Sequence, residues 1–417
     1  MGDPEKPEER GSLLRRTIGM PRNVLAIGLV SMLNDASSEI IYPLLPVFLS
    51  LSLGASPAVI GLIEGAAESV SSLLKLVSGA LSDRMGRRKE LIVAGYGVAA
   101  VARTGLALAN SWPMALGLRV FDRVGKGIRG APRDALLADS ARVGERGLAF
   151  GFHRAMDHTG AVIGPLVGFL LLWWVALDAN APSHPELTTI FLIAAIPAAL
   201  SVLVAVLAVR EVKTAEGTGT KAVPRLSLAG FDGNFRWYLG TLALFTLSNS
   251  TDAFLLLRAT SAGVSPAHLP LLWAALHVMK VVTSVAGGDM SDRFGRKRLI
   301  LAGWVVYAGV YAGFAFVDGP VAVWALFLVY GAYFGLAEGA EKALVADLVA
   351  PDRRGTAFGL YNFAIGVTVL PASILMGVVW AAGGPELAFG MSAVIGLLAA
   401  LLLTRVHMPV PAAAQAQ

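Results

Sequence analysis

The 417 residues contain no cysteine, which excludes disulfides, thiolate nucleophiles and cysteine-bound metals. Charge is scarce too: Asp, Glu, Lys and Arg make up 15% of the chain, against 55% hydrophobic residues and a mean hydropathy of +0.66. An ordinary soluble domain carries about 25% charged residues. No G-x-x-x-x-G-K-S/T loop is present, and no His, Asp or Glu spacing makes a metal site or a catalytic constellation. An enzyme, a bound metal and a cofactor are therefore not expected. Lys and Arg are missing from six short loops, at 52–57, 110–113, 176–187, 261–268, 318–320 and 382–386. The opposite loops hold nearly all of them. That is the positive-inside asymmetry, and it also accounts for a pI near 9.5 without nucleic acid as a partner.

What is present is a series of apolar runs of about 20 residues, each long enough to cross a bilayer. The expected fold is an all-α integral membrane protein of twelve transmembrane helices in two pseudo-symmetric six-helix bundles. The helices are expected near 23–51, from 57 to the loop after 79, then 91–109, 114–137, 149–175, 188–209, 236–260, 269–287, 299–317, 321–347, 356–381 and 387–404. Pro43 and Pro46 should bend the outer part of helix 1. The bundles then span 23–209 and 236–405, joined by a polar linker at 210–235, with polar tails at 1–22 and 406–417. An even helix count puts both termini in the cytoplasm. Residues 1–20 lack a cleavage pattern, so no signal peptide is expected.

The two halves repeat one another. Gly79-Ala-Leu-Ser-Asp-Arg-Met-Gly-Arg-Arg-Lys89 returns 209 positions later as Gly288-Asp-Met-Ser-Asp-Arg-Phe-Gly-Arg-Lys-Arg298, and Gly54-Ala-Ser-Pro57 returns as Gly263-Val-Ser-Pro266 at the same offset. A glycine at a helix end admits close helix approach. A carboxylate one turn later can accept from the orphan N–H groups of a facing helix N-terminus. The second glycine permits a tight turn.

This pattern, G-x-x-S-D-R-x-G-R-R/K, resembles the loop signature of the major facilitator superfamily of membrane transporters, and the resemblance covers essentially the whole chain. In that family the loop latches the two halves in the outward-facing state. The likeness implies latch roles for Gly79, Asp83, Arg84, Gly86 and Arg87, and for Gly288, Asp292, Arg293, Gly295 and Arg296. The alternative is that these charges set topology alone.

Ionisable residues inside the apolar runs are functional suspects, because burying a charge in lipid is costly. Asp35 and Glu39 lie one turn apart on one face of helix 1, and helix 2 adds Glu64, Glu68 and Lys75 on one face. Helix 4 is the most charged: Arg119, Asp122, Arg123, Lys126 and Arg133 cover one face, with Arg129 beside it. These acids either take up protons or are paired for good with helix 4 cations. Proton-coupled members of the resembled family carry an acid in helix 1, which points to Asp35. Arg123-x-x-Lys126-Gly127-x-Arg129-Gly130-Ala131 resembles the R-x-x-Q-G-x-G-A-A signature of proton-linked members. It departs from that signature at Lys126 and Arg129, which raises an anionic substrate.

Helix 5 begins His153-Arg154-x-x-Asp157-His158, spaced for Arg154 to pair with Asp157. Further on, Gly160-x-x-x-Gly164-Pro165-x-x-Gly168 resembles the helix 5 signature of drug–proton antiporters, and its glycines should allow tight contact with the opposite half. In the second half Asp252 is the expected substrate contact, and Glu338, Glu341 and Lys342 the expected self-paired cluster.

The function read from these features is secondary active transport, proton-coupled export of a small molecule across a bacterial inner (plasma) membrane, by a monomer rocking about a mid-membrane site. Uptake or exchange of an anionic metabolite is the second reading, and a non-transporting membrane sensor or scaffold the third.

Overall fold

The computed structural model describes residues 19–85, 87–142, 146–212, 227–350 and 353–408. Lipid offers no hydrogen bonds, so an apolar run must satisfy its own N–H and C=O groups, and a helix does this within one segment. The helices are α1 (Arg22–Ser52), α2 (Pro57–Met85), α3 (Arg88–Ala107), α4 (Trp112–Ser140), α5 (Arg146–Val175) and α6 (His184–Ala208). They continue with α7 in two pieces (Gly233–Ser248 and Ala253–Ser261), α8 (Leu269–Phe294), α9 (Arg296–Phe316) and α10 (Pro320–Asp347). The run Arg354–Leu403 holds two helices, α11 and α12, that meet at Gly384, whose φ of 81° ends the first. Among the described residues there is no strand. By length and composition, eight stretches among the described residues qualify as membrane spans, the last of them covering both α11 and α12.

In the first bundle α1 packs on α5 and α6, α3 on α4 and α6, and α2 on α4; in the second, α10 packs on α8 and α9, while α7 and α9 pack on the final hairpin. The bundles meet along α2 against α11 and α5 against α8. Small residues let the α2–α11 seam close. A Cβ on Gly61 would lie 2.2 Å from the Ser373 carbonyl oxygen, and one on Gly377 would lie 2.5 Å from that of Pro57. The seam includes Ser69, whose hydroxyl donates to the Gly366 carbonyl.

Two helices are irregular. Where a bend is expected in α1, the helix tightens at Tyr42–Leu44 and widens at Phe48–Ser52. In α7 the unbroken helix expected over 236–260 is corrected: it stops at Ser248 and restarts at Ala253. The intervening Asn249-Ser-Thr-Asp252 carries side chains that compete with the helix for backbone hydrogen bonds. The freed groups are satisfied locally. Tyr307 Oη donates to the Ser248 carbonyl (2.6 Å), and the Thr251 amide donates to Ser373 Oγ (3.3 Å).

Candidate functional site

A cavity of about 700 Å³ lies between the bundles. Tyr42, Trp273 and Asp252 line one end of it; Lys75, Asp134 and Lys342, from the far ends of α2, α4 and α10, line the other. The Tyr42 and Trp273 rings, 4.9 Å apart, bridge the bundles.

Along its α2–α4 wall the charges interlock. Arg119 donates Nε and Nη2 to the two oxygens of Glu64, both at 2.7 Å, with both residues buried. Asp122 accepts from Arg103 Nε at 3.1 Å and lies 3.8 Å from Arg119 and 3.7 Å from Arg123. Arg123 also lies 3.7 Å from Glu68. Arg103 then donates to the Asn34 carbonyl (2.8 Å), tying α3 to α1. Sequence reasoning passed over Arg103, although an arginine amid the apolar run of helix 3 is the same signal that singled out helix 4. Glu64 and Asp122 are thus held by guanidinium groups, the pairing alternative for these acids. Arg129 stacks on the Tyr96 ring at 4.4 Å. Lys126 and Lys75 line the cavity with no ion pair among the described residues.

The α1–α5 wall is different. Asp35 lines the cavity, and its one hydrogen-bond donor among the described residues is the neighbouring Asn34 amide, at 2.9 Å. Glu39 accepts from Trp273 Nε1 at 2.6 Å and lies 3.6 Å from His277 Nε2, so α1 is joined to α8 of the other bundle. The expected Arg154–Asp157 pair is corrected. Asp157 lies 3.6 Å from His153 Nδ1, and Arg154 lines the cavity with no ion pair among the described residues. The i, i+4 step lets His153 fold back on the same face, where Ser31 Oγ holds its other nitrogen at 2.8 Å.

In the second bundle the break in α7 delivers Asp252 to the cavity, where it accepts from Tyr330 Oη (2.7 Å) and lies 3.8 Å from Lys280. Interrupted helices at membrane depth are a common way to build a polar site. Glu338 pairs with Lys342 at 2.9 Å, but Glu341 does not join them. It points into the bundle, 7% exposed, and accepts from Trp304 Nε1 (2.8 Å) and Tyr361 Oη (3.2 Å).

The helix 5 glycines act within their own bundle, which corrects the expected contact with the opposite half. A Cβ on Gly160 would lie 2.4 Å from the Met32 carbonyl oxygen, and one on Gly164 would lie 2.6 Å from that of Ala36. Gly168 faces Ile40, and Pro165 lies inside α5 without ending it. The stripe therefore seats α5 against the stretch of α1 that carries Asp35 and Glu39. Of the expected latch, Gly79, Asp83, Arg84, Gly86, Gly288, Asp292 and Arg293 fall outside the residues whose placement or side chains are described. Gly295 has a φ of 88°, the left-handed conformation a tight turn needs. Arg296 donates to the Ala343 carbonyl (2.8 Å) and pairs with Asp347 at 2.9 Å, while Arg87 is exposed, 3.5 Å from Glu90. In the first bundle it is Arg88 that pairs with the corresponding Asp139.

The family model described as Major Facilitator Superfamily matches residues 27–340 and 237–417. The chain is 33% identical to an uncharacterized MFS-type transporter of Methanocaldococcus jannaschii, over 92% of this chain and 94% of that one. It is 27% identical to a multi-drug resistance efflux pump PmrA homolog of Lactococcus lactis subsp. lactis, over 73% and 75%. Among solved structures, that of the nucleoside transporter NupG shares the fold with a TM-score of 0.75, at 15% identity, covering 92% of this chain and 98% of that one. A repeated loop signature, two six-helix bundles and a charged cavity between them agree with these likenesses: the chain belongs to the Major Facilitator Superfamily of membrane transporters.

Proposed function

We propose that this secondary transporter couples the export of a small molecule to proton movement across a bacterial inner membrane, with both termini cytoplasmic. The observation that carries the reading is the contrast between Asp35 and its neighbours. Glu64 and Asp122 are pinned by arginines, whereas Asp35 meets the cavity with a neutral amide as its donor. A carboxylate that pairs with no cation among the described residues, and that is in reach of water, can load and release a proton as access alternates. Glu39, bonded to Trp273 across the bundle interface, would feel any rocking of the halves directly.

In this reading 23–209 and 236–405 are the rocking units, 210–235 links them, and the protein acts as a monomer. The Lys/Arg asymmetry makes the Lys75–Lys342 end of the cavity the cytoplasmic one. Asp83, Arg87, Asp292 and Arg296 would govern which side is open. Export is supported by the Gly160–Gly168 resemblance and by the likeness to the Lactococcus efflux pump homolog. Uptake or exchange of an anion remains the second reading, favoured by the cations of the α2–α4 wall.

The test is proton movement in inside-out vesicles with a preset pH gradient, challenged with cationic, neutral and anionic solutes. The expected result is collapse of the gradient by some solutes and no collapse in well-folded Asp35→Asn. A gradient that no solute disturbs, or one that Asp35→Asn dissipates like the wild type, would remove the proposal.

A further inference from the structure

The first bundle's cavity wall holds more positive charge than it can neutralise. On α2, α3 and α4 the carboxylates near the cavity are Glu64, Glu68, Asp122 and Asp134, the last paired with Arg133 at 3.0 Å. Glu64 is used up by Arg119, and Asp122 is divided among Arg103, Arg119 and Arg123. Glu68 is left to serve Arg123, at 3.7 Å, together with Lys126 and Lys75, whose charges also reach it. The two lysines line the same cavity. Lys75 lies along α4, its Cγ 3.7 Å from where a Gly130 Cβ would stand, so the glycine leaves room for the lysine beside Lys126. Arg154 adds a third cation on the cavity, from α5.

Like charges gathered away from bulk water raise the free energy of the empty site, and an anion placed among them lowers it. Among the described residues no carboxylate stands within ion-pair distance of Lys75, Lys126 or Arg154. At the far end of the same cavity the Tyr42 and Trp273 rings offer a flat apolar surface. We infer that the transported molecule is an organic anion, its carboxylate or phosphate held by Lys75, Lys126 and Arg154 and its ring or hydrocarbon part lodged against Tyr42 and Trp273. This rests on the reading of the cavity as the transport site.

The experiment measures the thermal unfolding midpoint of the purified full chain in neutral detergent. The probes share one ring and differ in charge: benzoate, phenyl phosphate, benzyl alcohol and benzylamine. The two anions should raise the midpoint at millimolar concentration, and the alcohol and the amine should leave it unchanged. In the Lys75→Gln/Lys126→Gln double variant the ligand-free midpoint should rise, because the repulsion is gone, and the anions should bind at least about tenfold more weakly, a loss equivalent to 1.4 kcal/mol. Anions that stabilise the double variant as much as wild type would overturn the assignment. So would neutral or cationic probes that match them, or no shift with either anion. A shift given by phosphatidylglycerol in mixed micelles but by neither soluble anion would place a lipid headgroup at the lysines and overturn the substrate assignment. Anion binding that persists while vesicles show no solute-driven proton movement would keep this site and remove proton-coupled transport instead.

Discussion

Glu64 in α2 and Glu341 in α10 are both carboxylates withdrawn into a bundle, 4% and 7% exposed, yet their neighbours differ in kind. Glu64 meets a guanidinium in a two-pronged bond, and that guanidinium belongs to a chain of ion pairs running from α2 through α4 to α3. Glu341 meets an indole and a phenol. Around it the second bundle is built on rings: Phe245 stacks on Trp304 (4.1 Å, 3°), Tyr307 on Tyr311 (4.2 Å), and Tyr330 on Tyr333 (5.7 Å). Both devices satisfy a buried polar group, but their costs of failure differ. A charge pair that loses one member leaves the other stranded in low dielectric. A neutral donor that loses its acceptor can turn or accept instead. The first bundle therefore carries the charge chemistry of the cavity, and the second is an aromatic frame with Asp252 and Lys280 set into it.

The same substitution made in both places separates the two devices. Glu64→Gln leaves Arg119 only its longer 3.8 Å contact with Asp122 and should cost about 3 kcal/mol of stability, seen as a large drop in the unfolding midpoint. Glu64→Gln combined with Arg119→Gln should recover most of that loss. If Glu64→Gln proves as mild as Glu341→Gln, the contrast between the bundles collapses. Next in size, Gly164→Val would press a side chain onto the Ala36 carbonyl and Glu39 Cβ, which stand 2.6 and 2.8 Å from an added Cβ. A loss of about 1–3 kcal/mol is expected, with transport impaired in whatever protein folds. Glu341→Gln should cost no more than about 1.5 kcal/mol, since Tyr361 can reverse its hydrogen bond. Smallest of all are the partly exposed ties at the helix ends: Arg88→Gln and Arg296→Gln should each cost about 1 kcal/mol or less, equally in both bundles. Unequal costs there would mean the halves differ at their ends as well as in their cores.

The fold was legible because lipid imposes few choices. Apolar runs of bilayer length, loops without Lys or Arg, and a 209-residue repeat leave little freedom in helix number or pairing of halves. The break in α7 was less so, since no Pro or Gly marks it. The cluster Asn249-Ser-Thr-Asp252 was the available sign, weaker because such residues also sit in intact helices. Helical spacing told which residues share a face, but not which neighbour that face meets. Hence the glycines at 160, 164 and 168 turned out to seat α5 on α1, and Asp157 chose His153 over Arg154. Tyr42 and Trp273 join the cavity through contacts between the bundles, which no local pattern encodes.

The reading turns on Asp35, and it is best separated from mere passage of substrate by comparing two modes of transport in one set of proteoliposomes. Using a solute that collapses the pH gradient in wild-type vesicles, Asp35→Asn should retain solute-for-solute exchange at near wild-type rate. It should lose accumulation driven by a pH gradient. If Asp35→Asn still drives accumulation against a gradient, the proton is carried elsewhere and the division of labour drawn between the bundles is wrong.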